Sequence, residues 1–144
     1  MRRRKFLTLV VGAAATWPQL ASAQRETLRR IGLLMAYREN DAEAQKYVAA
    51  FWDTLRQLGW TESVNYSTTM HWAGPELASI EQAAKELVKW RPDVILSSST
   101  PTTAALLRET RTIPVVFAIA SDPIGSGFVN TFAKPGGNPL ASPI

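Results

Sequence analysis

The stretch Arg91–Leu107, RPDVILSSSTPTTAALL, decides the fold. Pro92 opens a short apolar run, read as a strand over Asp93–Leu96. Four consecutive hydroxyl residues, Ser97 to Thr100, end it, and Pro101 then starts a helical pattern predicted to run to about Glu109. A buried strand that passes through a polar turn directly into a helix is half of a β-α-β unit, which points to a parallel sheet.

The same alternation continues on both sides. Upstream, Ile31–Met35 is a continuous apolar run suited to a strand covered on both faces. It is followed by a helix expected over about Asp41–Leu58, whose stripe of Tyr47, Val48, Phe51, Leu55 and Leu58 recurs at helical spacing and ends at Gly59. Val64, Tyr66, Thr68, Met70 and Trp72 then alternate with Asn65, Ser67, Thr69 and His71, so this strand has one wet face and belongs at a sheet edge. Glu76–Trp90 repeats the helical stripe through Leu77, Ile80, Ala84 and Leu87, and downstream Ile113–Ala120 reads as a further apolar strand. The remainder, SDPIGSGFVNTFAKPGGNPLASPI, is rich in Gly, Pro and Ser, with room for one short helix near residues 128–132. The expected fold class is α/β: a three-layer α/β/α doubly wound parallel sheet, strand order 2-1-3-4 with right-handed crossovers.

Composition narrows the function. The chain has 144 residues and a net charge of +4, which Arg2, Arg3, Arg4 and Lys5 carry; without them cations and acids balance at 12 each, so no nucleic-acid partner is expected. The absence of cysteine removes thiolate chemistry and Cys-based metal sites, and a single histidine argues against a His-rich metal centre. Neither GxGxxG nor GxxxxGK occurs, so nucleotide binding and any cofactor are not expected. The leader MRRRKFLTLVVGAAATWPQLASAQ has the order of an export signal: cations, an apolar stretch from Phe6 to about Ala15, then Ala21-Ser22-Ala23, with cleavage expected after Ala23. The alternative is a membrane anchor, but an apolar run this short, broken by Trp17-Pro18-Gln19, does not easily cross ~30 Å of hydrocarbon. Arg3-Arg4-Lys5-Phe6-Leu7 is similar to a twin-arginine signal, and Sec export stays open because the flanking residues match only in part.

In a doubly wound sheet, ligands bind beyond the carboxyl ends of the strands, where the strand order reverses. Ser97–Thr100 end the third strand at that crevice, and the helix N-terminus beside them favours an anion such as a carboxylate. The structural alternative is that Thr100 caps the helix that Pro101 starts. Ser121-Asp122-Pro123 occupies the equivalent place after the fourth strand, where Asp122 pairs with a ligand ammonium group or forms an Asx turn. His71 is the one histidine base available to a Ser-His hydrolase, and its place on an edge strand's polar face separates it from Ser99. Trp52, Trp60, Trp72 and Trp90 read as packing residues rather than a ligand-stacking set.

Taken together, IGLLMAY, HWAG, RPDVILSSSTPTTAAL, TIPVVFAIASDPIGSGFV and KPGGN closely resemble the ABC-transporter substrate-binding proteins of the family that includes tryptophan and tyrosine binders, from Met1 to about Asn138. The resemblance implies a type I periplasmic-binding fold, in which two lobes close over a small solute, often an amino acid or related molecule, and deliver it to the membrane permease of an ABC importer. By position, Ala36 and Tyr37 after strand 1, Ser98, Ser99 and Thr100 after strand 3, and Ser121 and Asp122 after strand 4 would line the first lobe's half of the cleft. The organisation so implied is an export signal at 1–23, carried to the periplasm by the export machinery, a first lobe at 24–138, and a divergent tail at 139–144 where the family's pattern is truncated. With no second lobe and an unpaired strand 4, weak solute binding and aggregation are the expectation. The classes kept open beside a non-enzymatic binding protein are an exported α/β hydrolase-like enzyme and the ligand-binding lobe of a sensor.

Overall fold

The computed structural model describes residues 28–118 and 139–141. The leader with Arg3, Arg4 and Ala23, the Ser121-Asp122 turn and the expected helix near 128–132 lie outside the described residues. The elements are β1 (Arg29–Met35), α1 (Ala42–Gln57), β2 (Tyr66–Trp72), α2 (Leu77–Lys89), β3 (Val94–Ser97), α3 (Thr100–Glu109), β4 (Val115–Phe117) and β5 (Pro139–Ala141). All pairings are parallel and the order is β2-β1-β3-β4-β5. The anticipated order 2-1-3-4 holds, with β2 at an edge.

Side-chain alternation in the central strands divides the core in two. Leu34, Ile95 and Val115 face a cluster with Ile80, Ala84 and Leu87 of α2 and Ala105 and Leu106 of α3. Ile31 and Leu33 point the other way and join Tyr66, against which Phe51, Trp52 and Leu55 of α1 pack. Helices therefore cover both faces. Gly32 shares the α2 face, where a Cβ would stand 2.8 Å from Leu87 Cδ1, so its lack of a side chain lets α2 lie close to the sheet. Asp41 caps α1 by accepting from the N–H groups of Glu43 and Ala44, and Gly59, at φ 85°, turns the chain out of that helix.

Several boundaries move. Tyr47 and Leu58, assigned to the buried stripe of α1, are exposed at 46% and 69%, because the stripe touching the sheet is Ala44, Val48, Phe51, Trp52 and Leu55; Tyr47 instead donates to Glu43 Oε1 at 2.7 Å. Leu77 is likewise exposed, at the first turn of α2. Val64, expected in the second strand, lies before it at 69% exposure, since Asn65 and Val64 donate backwards to Thr61 O and shape a turn. Ser97, placed in the turn by its polarity, is the last residue of β3. The largest difference is at the C-terminal side. Val115, Val116 and Phe117 pair with Pro139, Leu140 and Ala141, so β4 has a neighbour and the segment read as a divergent tail supplies a fifth strand. Pro139 fits an edge strand, where a missing N–H costs no ladder bond on the open side.

Candidate functional site

The strand order reverses between β1 and β3, which leave the sheet side by side and hand their chains to helices on opposite faces. Beyond Met35 the chain continues through Ala36 and Tyr37, both half-buried; beyond Ser97 it continues through Ser98, Ser99 and Thr100. The structure brings these two exits together. Ala36 N–H donates to Ser98 Oγ at 2.9 Å, and Ser98 N–H donates to Leu34 O at 3.2 Å. On the other side of β1, Ala73 N–H donates to Met35 O at 2.9 Å and Gly74 N–H to Tyr37 O at 3.1 Å, so three chain segments are tied at one end of the sheet.

The hydroxyl run is mostly turned inward. Ser97, Thr102 and Thr103 are fully buried, and Ser97 Oγ lies 2.7 Å from Thr102 Oγ1 and 2.8 Å from Thr103 Oγ1. Both threonine hydroxyls also donate to Ser99 O, at 2.9 and 2.8 Å. The helix cap is Ser99, not Thr100: Ser99 Oγ accepts from Thr102 N–H at 3.4 Å, while Ser99 N–H donates to Thr102 Oγ1 at 3.0 Å. Thr100 and Pro101 are therefore the first helical residues, and the reciprocal box already uses two of the N–H groups that a helix start leaves open. Sequence reasoning missed Thr102 and Thr103 as partners of Ser97, although a hydroxyl five and six positions along, one turn into a helix, was the available signal. Ser99 and Thr100 are half-buried and remain at the surface of the crevice.

Flanking this end of the sheet, a concavity of about 470 Å³ lies between β2 and α2, lined by His71, Trp72, Ala73, Ser79, Gln82 and Glu86 among others. His71 Nδ1 is 3.8 Å from Glu86 Oε2, and β1 separates His71 from β3, so it does not approach Ser99. Trp52 and Trp60 pack on the α1 core and Trp90 on the α2 core, with the Arg30 guanidinium 4.2 Å from the Trp90 ring. Among the described residues, no group of three or more His, Asp or Glu side chains could hold a metal ion.

A family model for ABC transporter substrate-binding proteins matches residues 34–139, which takes in the crossover from β1 through β4 and the first residue of β5. The chain belongs to this family. A tyrosine-binding protein of Clostridioides difficile is 28% identical over 88 residues, which cover 61% of this chain and 26% of that protein. Among solved structures, a conserved domain protein from Vibrio cholerae has a TM-score of 0.71 at 28% identity, covering 78% of this chain and 38% of the other. An ABC domain from Streptococcus pneumoniae in complex with L-Trp has a TM-score of 0.72 at 23% identity, covering 80% and 38%. A Clostridium difficile substrate-binding protein with adhesive properties, in a ligand-free, open structure, has 0.70 at 24%, covering 79% and 38%. The chain thus spans about a quarter of the curated relative and less than two fifths of each of these structures. Its doubly wound sheet is the fold of their lobes.

Proposed function

We propose that this chain forms the first-lobe half of a solute-binding site of an ABC importer, taking an amino acid or related small molecule at the ends of β1 and β3. The observation that carries the reading is the bond from Ala36 N–H to Ser98 Oγ, 2.9 Å. It fixes two strand exits against each other at the point where a doubly wound sheet binds ligands. Ser98 acts as the bolt, and Ala36, Tyr37, Ser99 and Thr100 form the surface around it. Support for an amino acid comes from relatives whose names carry tyrosine and L-Trp. Ser121 and Asp122 join the same surface in this proposal, with Asp122 meeting an ammonium group, as does export to the periplasm through the leader. Delivery to a membrane permease follows from the family's role, and the chain's own part is recognition without catalysis.

Calorimetric titration of the chain with L-tryptophan and L-tyrosine tests the reading. The first lobe alone leaves one side of the ligand in water, where each hydrogen bond contributes only about 0.5–1.5 kcal/mol, so residues 24–144 by themselves are expected to bind in the millimolar range. Adding a second lobe from a family member should tighten it, because closure removes the rest of the ligand from water. Failure of both amino acids to bind in the two-lobed form would overturn the proposal.

A further inference from the structure

At the opposite end of the sheet, α1 and β2 enclose a second pocket of about 350 Å³, lined by Trp52, Arg56, Thr61, Glu62 and Tyr66. Tyr66 pairs with Arg29 at the start of β1, whereas Trp72 pairs with Met35 at its end. Six residues of strand, ~20 Å, therefore separate this pocket from the crevice. Trp52 and Arg56 lie one helical turn apart on α1 and project over the strand. Thr61 and Glu62 come from the loop that leads into β2.

Tyr66 distinguishes this pocket from a simple packing gap. The residue is only 4% exposed, yet its phenol oxygen has no protein hydrogen-bond partner among the described residues. The covered part of the residue is its ring, while the hydroxyl lies toward the outside of the fold at the pocket and takes its partner from water or from whatever enters there. Burial and the Glu62 carboxylate both hold the phenol pKa above its ordinary value, with Arg56 acting weakly the other way, so at neutral pH the group is a donor. The Trp52 ring stacks on the Tyr66 ring, with centroids 6.2 Å apart at an interplanar angle of 14°, and both residues line the pocket. Its polar groups are of both kinds. Arg56 is already paired with Asp53 and retains further N–H donors, and Glu62 receives Thr68 Oγ1 on Oε1 at 2.8 Å and retains its other oxygen as an acceptor.

We infer that this pocket is a second ligand site, one that takes a small neutral aromatic bearing a hydrogen-bond acceptor and donor side by side, such as a primary carboxamide. The ring lies against Trp52, the carbonyl accepts from Tyr66 Oη, and the amide N–H donates to Glu62. A ligand carboxylate or ammonium would meet Arg56 and Glu62 together, so its attraction to one is offset by repulsion from the other, whereas a neutral amide uses a donor and an acceptor without bringing a charge out of water. The site does not depend on the solute-binding reading of the crevice.

The test is a titration of the isotope-labelled chain, followed by NMR, with benzamide, benzoate and benzylammonium as probes. Saturable shifts at the Trp52 indole N–H, Thr61 and Glu62 are expected, with benzamide binding more tightly than either charged probe. Tyr66→Phe should weaken benzamide by about 5- to 10-fold, the loss of one hydrogen bond. Glu62→Gln, at an exposed loop position, provides a second variant that keeps the core intact and should weaken benzamide as well. No saturable shift with benzamide, tighter binding of a charged probe, equal affinity of both variants and the parent chain, or shifts confined to Ala36 and Ser98 would each overturn the inference.

Discussion

Ser97 Oγ lies 2.7 Å from Thr102 Oγ1, with both residues at 0% exposure, so the end of β3 is joined to the first turn of α3 by a hydrogen bond sealed from solvent. Removing one partner leaves the other buried and short of a bond. Thr102→Val is therefore expected to destabilise the fold by about 1–3 kcal/mol, and more than Ser97→Ala, because Thr102 also completes the box with Ser99. Urea midpoints of the two variants check the order.

Ser99 and Thr100 separate stability from recognition. Ser99→Ala removes the α3 cap and should cost about 0.5–2 kcal/mol of stability. Thr100→Ala leaves the cap in place, and under the proposed function it should weaken solute binding with little change in melting temperature. Paired calorimetry and thermal melts decide; equal loss of stability in both variants would remove Thr100 from the binding surface.

Gly32→Ala places a methyl group 2.8 Å from Leu87 Cδ1 and 3.2 Å from Leu87 Cγ, and Leu87 is fully buried. Such overpacking is expected to cost about 1–3 kcal/mol. Trimming the neighbour should recover part of it, so Gly32→Ala with Leu87→Val should lose less than the sum of the single changes. Denaturant melts of the four chains measure the coupling.

Alkaline stability should depend on Tyr66. Burial, then Glu62, raises its pKa above the usual value of about 10. A folded-state pKa above the unfolded one means that the contribution is fully present below about pH 10 and declines as pH rises through the folded value. Tyr66→Phe should match the parent near neutral pH, since no protein hydrogen bond is lost, and should fall less steeply above pH ~10. Melting temperature against pH for both chains gives the comparison.

Export remains a proposal that rests on the leader. N-terminal sequencing of the exported product should find Gln24 first. Changing Arg3 and Arg4 together to Lys should block export by the twin-arginine route, and unchanged export would assign the chain to Sec.

The sequence by itself determined the layered fold. The apolar run Ile31–Met35, the half-wet alternation of Tyr66–Trp72 and the helical stripe through Ile80, Ala84 and Leu87 are local periodicities, and period alone tells a buried strand, an edge strand and a covering helix apart. The crevice was legible for the same reason, because it follows from strand order. Only the tertiary structure decided which hydroxyls serve the chain itself. Ser98 meets Ala36 across 62 residues, and nothing in SSST distinguishes a serine that bolts two strands from one that faces solvent. The fifth strand was hidden likewise: Pro139–Ala141 is too short to show a period, and its state was set by the open hydrogen-bonding edge of Val115–Phe117. The Tyr66 pocket was also hidden, since Trp52, Glu62 and Tyr66 face one another only once α1 has folded over β2. Periodicity reports which face of an element is covered, whereas partners distant in the chain are selected by packing, and that information resides in the assembled core.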